Sequence, residues 1–167
     1  LESIKGLGIT HVWYTGIIEH ATQTDYSEYG IAKDHAAIVK GKAGSPYAIK
    51  DYYDIDPDLA TSVPDRMREF QNLVNRTHKA GLKVLIDFVP NHVARDYGKI
   101  FPTGDHPMLG REDDKSVHWK EENDFIYYPG CELKLPTPCP KGMVPYQEMP
   151  AMATGNNCYT AEPGIND

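Results

Sequence analysis

The chain has 167 residues, of which 40% are apolar and 25% are charged, a composition typical of a globular domain with a hydrophobic core. No segment comes near the roughly 20 consecutive apolar residues that are needed to cross a bilayer. The formal net charge of −7 argues against a nucleic-acid-binding surface and leaves neutral or cationic ligands open.

The first predicted elements are the tail of a helix and a strand. Residues 1–8 resemble the end of an amphipathic helix that closes on a glycine C-cap, and they contain neither an initiating methionine nor the pattern of a signal peptide. We therefore expect the sequence to be a fragment of a longer protein. Residues 9–15 are rich in β-branched and aromatic side chains, which predicts a strand.

A long polar stretch, residues 16–50, comes next and contains four glycines but no sustained hydrophobic period. Loops of this length in compact domains are usually functional or disordered. The overlapping segment 47–57 is dense in tyrosines and carboxylates, which suits a carbohydrate surface because aromatic rings pack on sugar C–H faces and carboxylates accept hydroxyl hydrogen bonds. The alternative is a tyrosine-rich loop that packs on its neighbours, and we favour it for Tyr52, Tyr53 and Asp54.

A helix is predicted over residues 64–80. Ser62 and Asp65 have the spacing of a capping box, and Pro64 suits a first turn. Gly81 marks the end of the helix. Apolar or half-apolar residues recur at helical spacing along one face, namely Met67, Phe70, Leu73, Val74 and Thr77.

Residues 82–88 form a short apolar run that predicts a buried parallel strand. Strand, loop, helix, glycine and strand together make a βαβ unit, whose two strands should be parallel. Asp87, Asn91 and His92 follow at the carboxyl end of this strand, where ligand sites gather in such folds. These side chains could bind a cation, hydrogen-bond a sugar hydroxyl, or satisfy backbone groups at the strand end.

The last part of the chain, residues 94–167, contains nine prolines and no long periodic run, so we expect an irregular excursion with short strands at most. Its three cysteines, Cys131, Cys139 and Cys158, permit one disulfide with a thiol left over, three reduced thiols or a metal site. Their spacing does not match a compact zinc motif, and one loop disulfide or none is the favoured interpretation.

Four motifs in a fixed order resemble the α-amylase family, glycoside hydrolase family 13, over roughly residues 1–93. They are the strand Gly-Ile-Thr-His-Val-Trp at 8–13, Tyr47-x-x-x-Asp51-Tyr52 with Ile55-Asp56-Pro57, the helix pattern Phe70-x-x-Leu73-Val74-x-x-x-His78-x-x-Gly81, and Asp87-x-x-x-Asn91-His92. The resemblance implies an α/β fold, a partial (β/α)8 TIM barrel that contains the second and third strands and the helix between them. Residues 1–92 would form this partial barrel, and residues 93–167 an irregular insertion like the family's B domain.

The resemblance also implies roles for single residues. Tyr47 is similar to the tyrosine that stacks on the sugar whose bond is cut, and His92 to the histidine that hydrogen-bonds that sugar. Asp87 is similar to an acidic residue that organises the floor of the site. Asn91 is similar to a ligand of a calcium ion, Ca2+, that ties the B domain to the barrel. Ser45 and Gly44 depart from the histidine or aspartate that many relatives have near the tyrosine, and no calcium ligand in the insertion is assigned.

By the same resemblance, the parent protein is a retaining α-glycoside hydrolase or transglycosidase whose partner is an α-glucan such as starch or a maltooligosaccharide. The catalytic carboxylates of the family stand on the fourth, fifth and seventh strands, so we expect this fragment to bind sugar and to be inactive. The alternative is a non-catalytic glycan-binding or transport-associated homologue. Exposed barrel edges should make the fragment self-associate. An extracellular or periplasmic location is favoured over a cytoplasmic one.

Overall fold

A computed structural model of the chain describes residues 1–98, 108–135 and 141–153. The two helices are α1 (Glu2–Lys5) and α2 (Arg66–Lys79). The strands are β1 (His11–Tyr14), β2 (Ile18–His20), β3 (Ile49–Ile55), β4 (Lys83–Ile86), β5 (Tyr127–Tyr128) and β6 (Ala151–Met152). Short 3-10 turns cover Ser27–Tyr29, Pro57–Leu59 and Val63–Asp65.

The predicted βαβ unit is present. Strands β1 and β4 pair in parallel, with His11 opposite Lys83 and Tyr14 opposite Ile86, and α2 lies between them in the chain. Thr77 of α2 is fully buried, and its Oγ1 lies 2.8 Å from the Tyr14 hydroxyl in a hydrogen bond that joins the helix to β1. The prediction of two parallel strands with an intervening helix is therefore confirmed.

Strand β4 is shorter and more exposed than the sequence predicts. Leu82, just before it, is buried, but Leu85 and Phe88 are 50% and 66% exposed. Among the described residues, β1 is the one strand that pairs with β4. A strand with a single neighbour keeps one edge and much of its faces open, so the prediction of a fully buried strand is wrong for this chain.

The hairpin of β2 and β3 is absent from the sequence prediction. These strands pair antiparallel, with Ile18 opposite Ile55 and Glu19 opposite Asp51, and irregular register shifts separate the pairs. The interpretation of residues 16–50 as a stretch without strands is therefore wrong at both ends. Residues 49–55 are likewise a strand rather than a loop. Tyr52 does pack on neighbours, as the favoured alternative for residues 52–54 expected, since its ring contacts Phe88 and Tyr97.

The hydrophobic core lies between this hairpin, α2 and the segment after β4. Its buried centre is formed by Ile17, Ile18 and Ile49. Partly buried side chains from β1, β3, α2 and the segment after β4 surround that centre, namely Tyr14, Tyr52, Phe70, Val89 and Tyr97. A second cluster of Ala21, Val39 and Ala94 joins the loop after β2 to the chain beyond β4. The core thus fastens the segment that carries Asn91 and His92 to the hairpin.

The start of α2 differs from a capping box. A turn of 3-10 helix, Val63–Asp65, precedes the helix, and the Ser62 hydroxyl donates to Asp65 Oδ2 instead of accepting from a helix amide. The amides of Thr61 and Ser62 donate to the Glu69 carboxylate, at 2.9 and 2.8 Å. The capping-box prediction is therefore wrong, because the Ser62 amide donates to Glu69, one turn further on, and the Asp65 amide donates to the Ser62 carbonyl instead of the Ser62 hydroxyl.

The described parts of the last third contain one small sheet, in which the two-residue strands β5 and β6 pair antiparallel. This agrees with the prediction of short strands at most. Cys131 is exposed, and Cys139 and Cys158 lie outside the described residues, as does any pairing between them. No helix within residues 1–98, 108–135 and 141–153 is long and apolar enough to span a membrane. The division into residues 1–92 and 93–167 stays a prediction.

Candidate functional site

A cavity of about 410 Å3 opens just beyond the carboxyl end of β4. One wall comes from β3 and the segment after β4, and the other from three separate stretches of the last third of the chain. The lining residues of the first wall are Tyr52, Pro90, Asn91, His92, Val93 and Arg95, and those of the second are Leu109, Asp124, Phe125, Ile126, Met152 and Ala153.

Strand β3 positions the first wall. The Ala94 amide donates to the Ile49 carbonyl at 2.7 Å, and the Gly98 amide donates to the Lys50 carbonyl at 3.0 Å. The Tyr52 hydroxyl donates to the Val89 carbonyl. These three bonds run from successive parts of β3 to residues on both sides of Asn91 and His92, so the hairpin that the sequence did not predict determines where the candidate site residues lie.

A buried ion pair joins the two walls. Arg95 donates to Glu148 Oε1 at 2.5 Å and to the Met152 carbonyl at 3.3 Å. The Met152 amide in turn donates to Glu148 Oε1 at 2.7 Å. Both charged side chains are largely buried, at 7% and 11% exposed. A buried guanidinium with several oxygen partners has well-satisfied charge, so this contact is a firm link between the walls.

Asn91 and His92 are the two predicted site residues that the structure brings together on the cavity. Asn91 is exposed and His92 is half-buried. An imidazole can donate or accept a hydrogen bond, and an amide can do both at once, so both side chains suit a polyhydroxyl ligand. The arrangement can bind and orient a sugar at this position.

Tyr47 and Asp87 lie apart from the cavity lining. Tyr47 stands just before β3, and its side chain is 51% exposed. Asp87 directly follows the end of β4 and is half-buried, and its Oδ2 has no hydrogen-bond partner among the described residues. Two of the four predicted site residues, Asn91 and His92, therefore line the cavity. The other two lie outside the lining, Tyr47 before β3 and Asp87 directly after β4.

Several buried charged residues were missed by sequence reasoning. Lys50 Nζ pairs with Asp34 Oδ2 at 2.9 Å, and both side chains are buried. Glu19 is buried in the same hairpin. One sequence signal could have found them, since Glu19 follows Ile17-Ile18 and Lys50 follows Ile49, so both charges adjoin apolar residues of their strands. Arg95, which links the cavity walls, also follows apolar residues, Val93-Ala94.

The described cavity lining offers few side-chain ligands for calcium. Ca2+ takes about six to eight oxygen ligands, and the lining offers the Asn91 amide and the Asp124 carboxylate, of which Asp124 Oδ2 already accepts a bond from the Gly110 amide at 2.8 Å. Within the described ranges no group of three or more His, Cys, Asp or Glu side chains could hold a metal ion. Asn91 as a calcium ligand therefore stays a prediction.

The cavity lining also contains a single carboxylate, Asp124. A retaining glycosidase needs two carboxyl groups about 5–5.5 Å apart, one as nucleophile and one as acid and base. The described lining therefore has groups for binding and orientation, and it does not by itself provide that pair.

Comparison with known protein families decides the relationship. The family model described as the alpha-amylase catalytic domain matches residues 1–127. The chain belongs to the alpha-amylase family. The match includes β1, α2 and β4, and also Asn91 and His92, so the resemblance of the four sequence motifs is confirmed.

Three relatives show the range of proteins around this member of the alpha-amylase family. An alpha-amylase of Streptomyces lividans is 32% identical over 94 residues, which are 56% of this chain and 9% of that protein. A glycogen debranching enzyme of Escherichia fergusonii is 29% identical over 135 residues, 78% of this chain and 18% of the enzyme. The amino acid transporter heavy chain SLC3A1 of Rattus norvegicus is 46% identical over 48 residues, 29% of this chain and 6% of the heavy chain.

The chain thus spans less than a fifth of the length of each of these relatives. The parent family is one of glycoside hydrolases, and the described residues supply one βαβ unit of its catalytic domain, with no closed barrel among them.

Proposed function

We propose that this chain forms part of the α-glucan-binding cleft of a retaining α-glycoside hydrolase or transglycosidase. The observation that carries the proposal is the cavity at the carboxyl end of β4, because it has His92 and Asn91 in its wall and lies in a chain of the alpha-amylase family. Carboxyl ends of barrel strands are where (β/α)8 enzymes bind their substrates.

In this proposal, the residues have distinct tasks. His92 hydrogen-bonds a hydroxyl of the sugar whose glycosidic bond is cut, and Asp87 organises the floor next to it. Tyr47 is outside the cavity lining, and in this proposal it reaches the same sugar from its position before β3, where its half-exposed ring leaves a face open for stacking. The division at residues 92 and 93 and the role of Asn91 as a calcium ligand stay predictions of the family resemblance.

Titration with maltoheptaose tests the binding role. In isothermal calorimetry, we expect the protein to bind this oligosaccharide, and we expect His92→Ala and Tyr47→Ala each to weaken the affinity about tenfold or more, the size of one lost hydrogen bond or stacking contact. His78→Ala and Tyr29→Ala are the matched controls, because both side chains are exposed and neither lines the cavity. Unchanged affinity in His92→Ala would contradict the proposal, as would no binding by the unaltered protein at millimolar maltoheptaose.

An activity assay tests the part of the proposal that places the catalytic carboxylates outside this chain. Since the cavity provides one carboxylate where the reaction needs two, the 167-residue chain should release no product from starch or from a nitrophenyl maltoside. Sustained release of product that the buffer alone does not give would overturn this account of where the catalytic carboxylates stand.

A second candidate function is a non-catalytic, transport-associated member of the family. The observation that favours it is the 46% identity to the SLC3A1 heavy chain, although it extends over only 48 residues. The sequence that follows in the parent gene separates the two functions. An Asp, a Glu and a second Asp at the ends of the fourth, fifth and seventh barrel strands would support the hydrolase, and absence of the first Asp and the Glu would support the transport-associated protein.

A further inference from the structure

Two buried acidic residues are paired across the β2–β3 hairpin. Glu19 of β2 is the register partner of Asp51 of β3, the register shifts on both sides of Glu19, and the two residues are 1% and 7% exposed. Asp54 of the same strand is a further acid whose charge acts on Glu19. Ionised carboxylates that are neighbours in this way repel one another, and burial makes the repulsion stronger.

The nearby cations are committed to other acids. Lys50 Nζ donates to Asp34 Oδ2 at 2.9 Å and to the Ala32 carbonyl at 2.7 Å. Arg66 Nε donates to Asp54 Oδ1 at 2.9 Å. Glu19 Oε2 is buried and has no hydrogen-bond partner within the described parts of the chain. Glu19 therefore lacks the direct cationic partner that a buried carboxylate requires.

The electrostatic balance around Glu19 follows from these contacts. Burial raises the pKa of Glu19 to about 8, and the charges of Asp54 and Asp51 add to the rise, while Lys50 and Arg66 oppose it without overcoming it. Burial also raises the pKa of Asp51, with Asp54 acting in the same direction and the Tyr53 amide and Arg66 acting against it. Burial, with the charge of Asp51 acting in the same direction, raises the pKa of the Tyr97 phenol to about 12, so this phenol is neutral near pH 7.

We propose that the buried Glu19–Asp51 pair keeps one proton near neutral pH, with Glu19 as the neutral member, and that loss of this proton in alkaline solution loosens the wall of the cavity. Asp51 lies in β3 between Lys50 and Tyr52, whose backbone carbonyl and side-chain hydroxyl hold the segment after β4. A charge that pushes β2 from β3 therefore weakens the support of Asn91 and His92. The effect on glucan affinity rests on the proposed function, and the effect on the hairpin does not.

The sign of the pH dependence follows from linkage. The pKa of Glu19 is about 8 in the folded chain and 4.5 for the unperturbed group. The stabilising contribution is full below pH 4.5, because both folded and unfolded chains are then protonated. It is lost as the pH rises to about 8, where the folded chain ionises as well. Over that window the unfolding constant should rise about tenfold per pH unit from this group.

Glu19→Gln tests the proposal, because glutamine has the shape of the neutral acid and does not ionise. Glu28→Gln, at an exposed position, is the matched control. In urea titrations at pH 5 to 9, the unfolding constants of the unaltered protein and of Glu28→Gln should rise about tenfold per pH unit relative to that of Glu19→Gln, up to about pH 8. At each pH, the ratio of the amide exchange rates of Ala94 and Gly98 in the unaltered protein to those in Glu19→Gln should match the ratio of the two unfolding constants. Asp51→Asn should move the transition to lower pH. A Glu19→Gln protein that is less stable at pH 7 and keeps the pH slope would overturn the proposal.

Infrared spectroscopy on the unaltered protein gives a test that no folding defect disturbs. The carbonyl band of a protonated carboxylic acid should persist at pH 7 and disappear as the pH passes about 8, and absence of that band at pH 7 would overturn the proposal.

Maltoheptaose binding separates this inference from the proposed function. If the protein fails to bind maltoheptaose while the unfolding and exchange results are as expected, the proposed function fails and the titrating pair stands. If the protein binds maltoheptaose but the pH effects on unfolding and exchange are absent, the titrating pair is refuted and the proposed function stands.

Discussion

Lys50 Nζ lies 2.9 Å from Asp34 Oδ2, and this ion pair is almost completely buried. Asp34 Oδ2 also accepts a bond from the Thr22 amide at 3.0 Å, and Lys50 also donates to the Ala32 carbonyl. The pair therefore fastens the long connection between β2 and β3 onto β3 itself. Since β3 holds the segment after β4, the position of the cavity wall depends on a contact within residues 16–50, which the sequence predicted to be a long polar loop.

Lys50→Met should destabilise the protein by about 3–5 kcal/mol, because it leaves the Asp34 carboxylate buried without its cation. Urea unfolding measures this difference. Arg68→Ala, which breaks the exposed ion pair with Asp65, is the control and should change stability by less than about 1 kcal/mol. Equal effects of the two substitutions would show that burial does not decide the strength of the Lys50 contact.

Gly44→Ala should be far more damaging than Gly41→Ala, although both glycines have a positive φ, +71° and +69°. A Cβ at Gly44 would stand 1.8 Å from the Ala21 carbonyl oxygen, whereas a Cβ at Gly41 meets nothing within 4 Å. We expect a loss of about 1–2 kcal/mol for Gly41→Ala from backbone strain alone, and about 3–5 kcal/mol for Gly44→Ala from strain and clash together. Thermal unfolding of both variants checks the prediction, and similar melting temperatures would contradict it.

His20 should titrate in a way that depends on Asp56. Burial lowers the pKa of His20, but the hydrogen bond and charge of Asp56 outweigh burial and, with the Ala43 carbonyl, raise the pKa above 6.5. The ion pair therefore contributes stability that is present below pH 6.5 and lost as the pH rises through the higher value of the folded state. Asp56→Asn should lower the His20 pKa and weaken the fold by about 1–3 kcal/mol at pH 6, with a smaller effect at pH 8.

Proton NMR of the His20 ring, with the exposed His78 ring as internal reference, follows this titration in both proteins. If the His20 titration is the same in Asp56→Asn, the 2.7 Å contact between the ring and Asp56 does not govern the protonation of His20.

Self-association should follow from the open face of the parallel pair. Trp13 and Leu85 are opposite one another in the register of β1 and β4, and both are exposed together with Phe88. A contiguous apolar patch beside an unpaired strand edge favours contacts between copies. Light scattering at high micromolar concentration should give a mass above that of the monomer for this chain. A Trp13→Lys, Leu85→Lys variant should shift toward monomer and Leu59→Lys should not. A clean monomer for the unaltered chain would contradict the prediction.

Local sequence patterns were sufficient to predict the βαβ unit. The helical spacing of Phe70, Leu73 and Thr77 and the apolar run before Asp87 are signals carried by neighbouring residues, and the structure has α2, β1 and β4 in that order. The detail at the helix start was wrong, since the Ser62 amide donates to Glu69 instead of Asp65, and the Asp65 amide donates to the Ser62 carbonyl. Several side chains compete for the same amides there, and spacing alone does not rank them.

The hairpin was not predictable in the same way. Strands β2 and β3 carry Glu19, Lys50 and Asp51, residue types that normally indicate an exposed loop. Their burial depends on partners that are distant in the sequence, such as Asp34 for Lys50, and on one acid that has no charged partner of its own. A local pattern of polarity contains neither these distant partners nor the apolar surroundings that bury Glu19, so it fails in this hairpin.

The sequence by itself determined the family resemblance, the order of the central elements and the identity of Asn91 and His92 as candidate site residues, because these depend on motifs and periodicities within short segments. The tertiary structure decided that these two residues line one cavity with Asp124 and Phe125, while Tyr47 and Asp87 lie apart from it. The walls of that cavity come from distant parts of the chain. The Ala94 to Ile49 bond holds the first wall together, and the Arg95 to Glu148 bond joins it to the second.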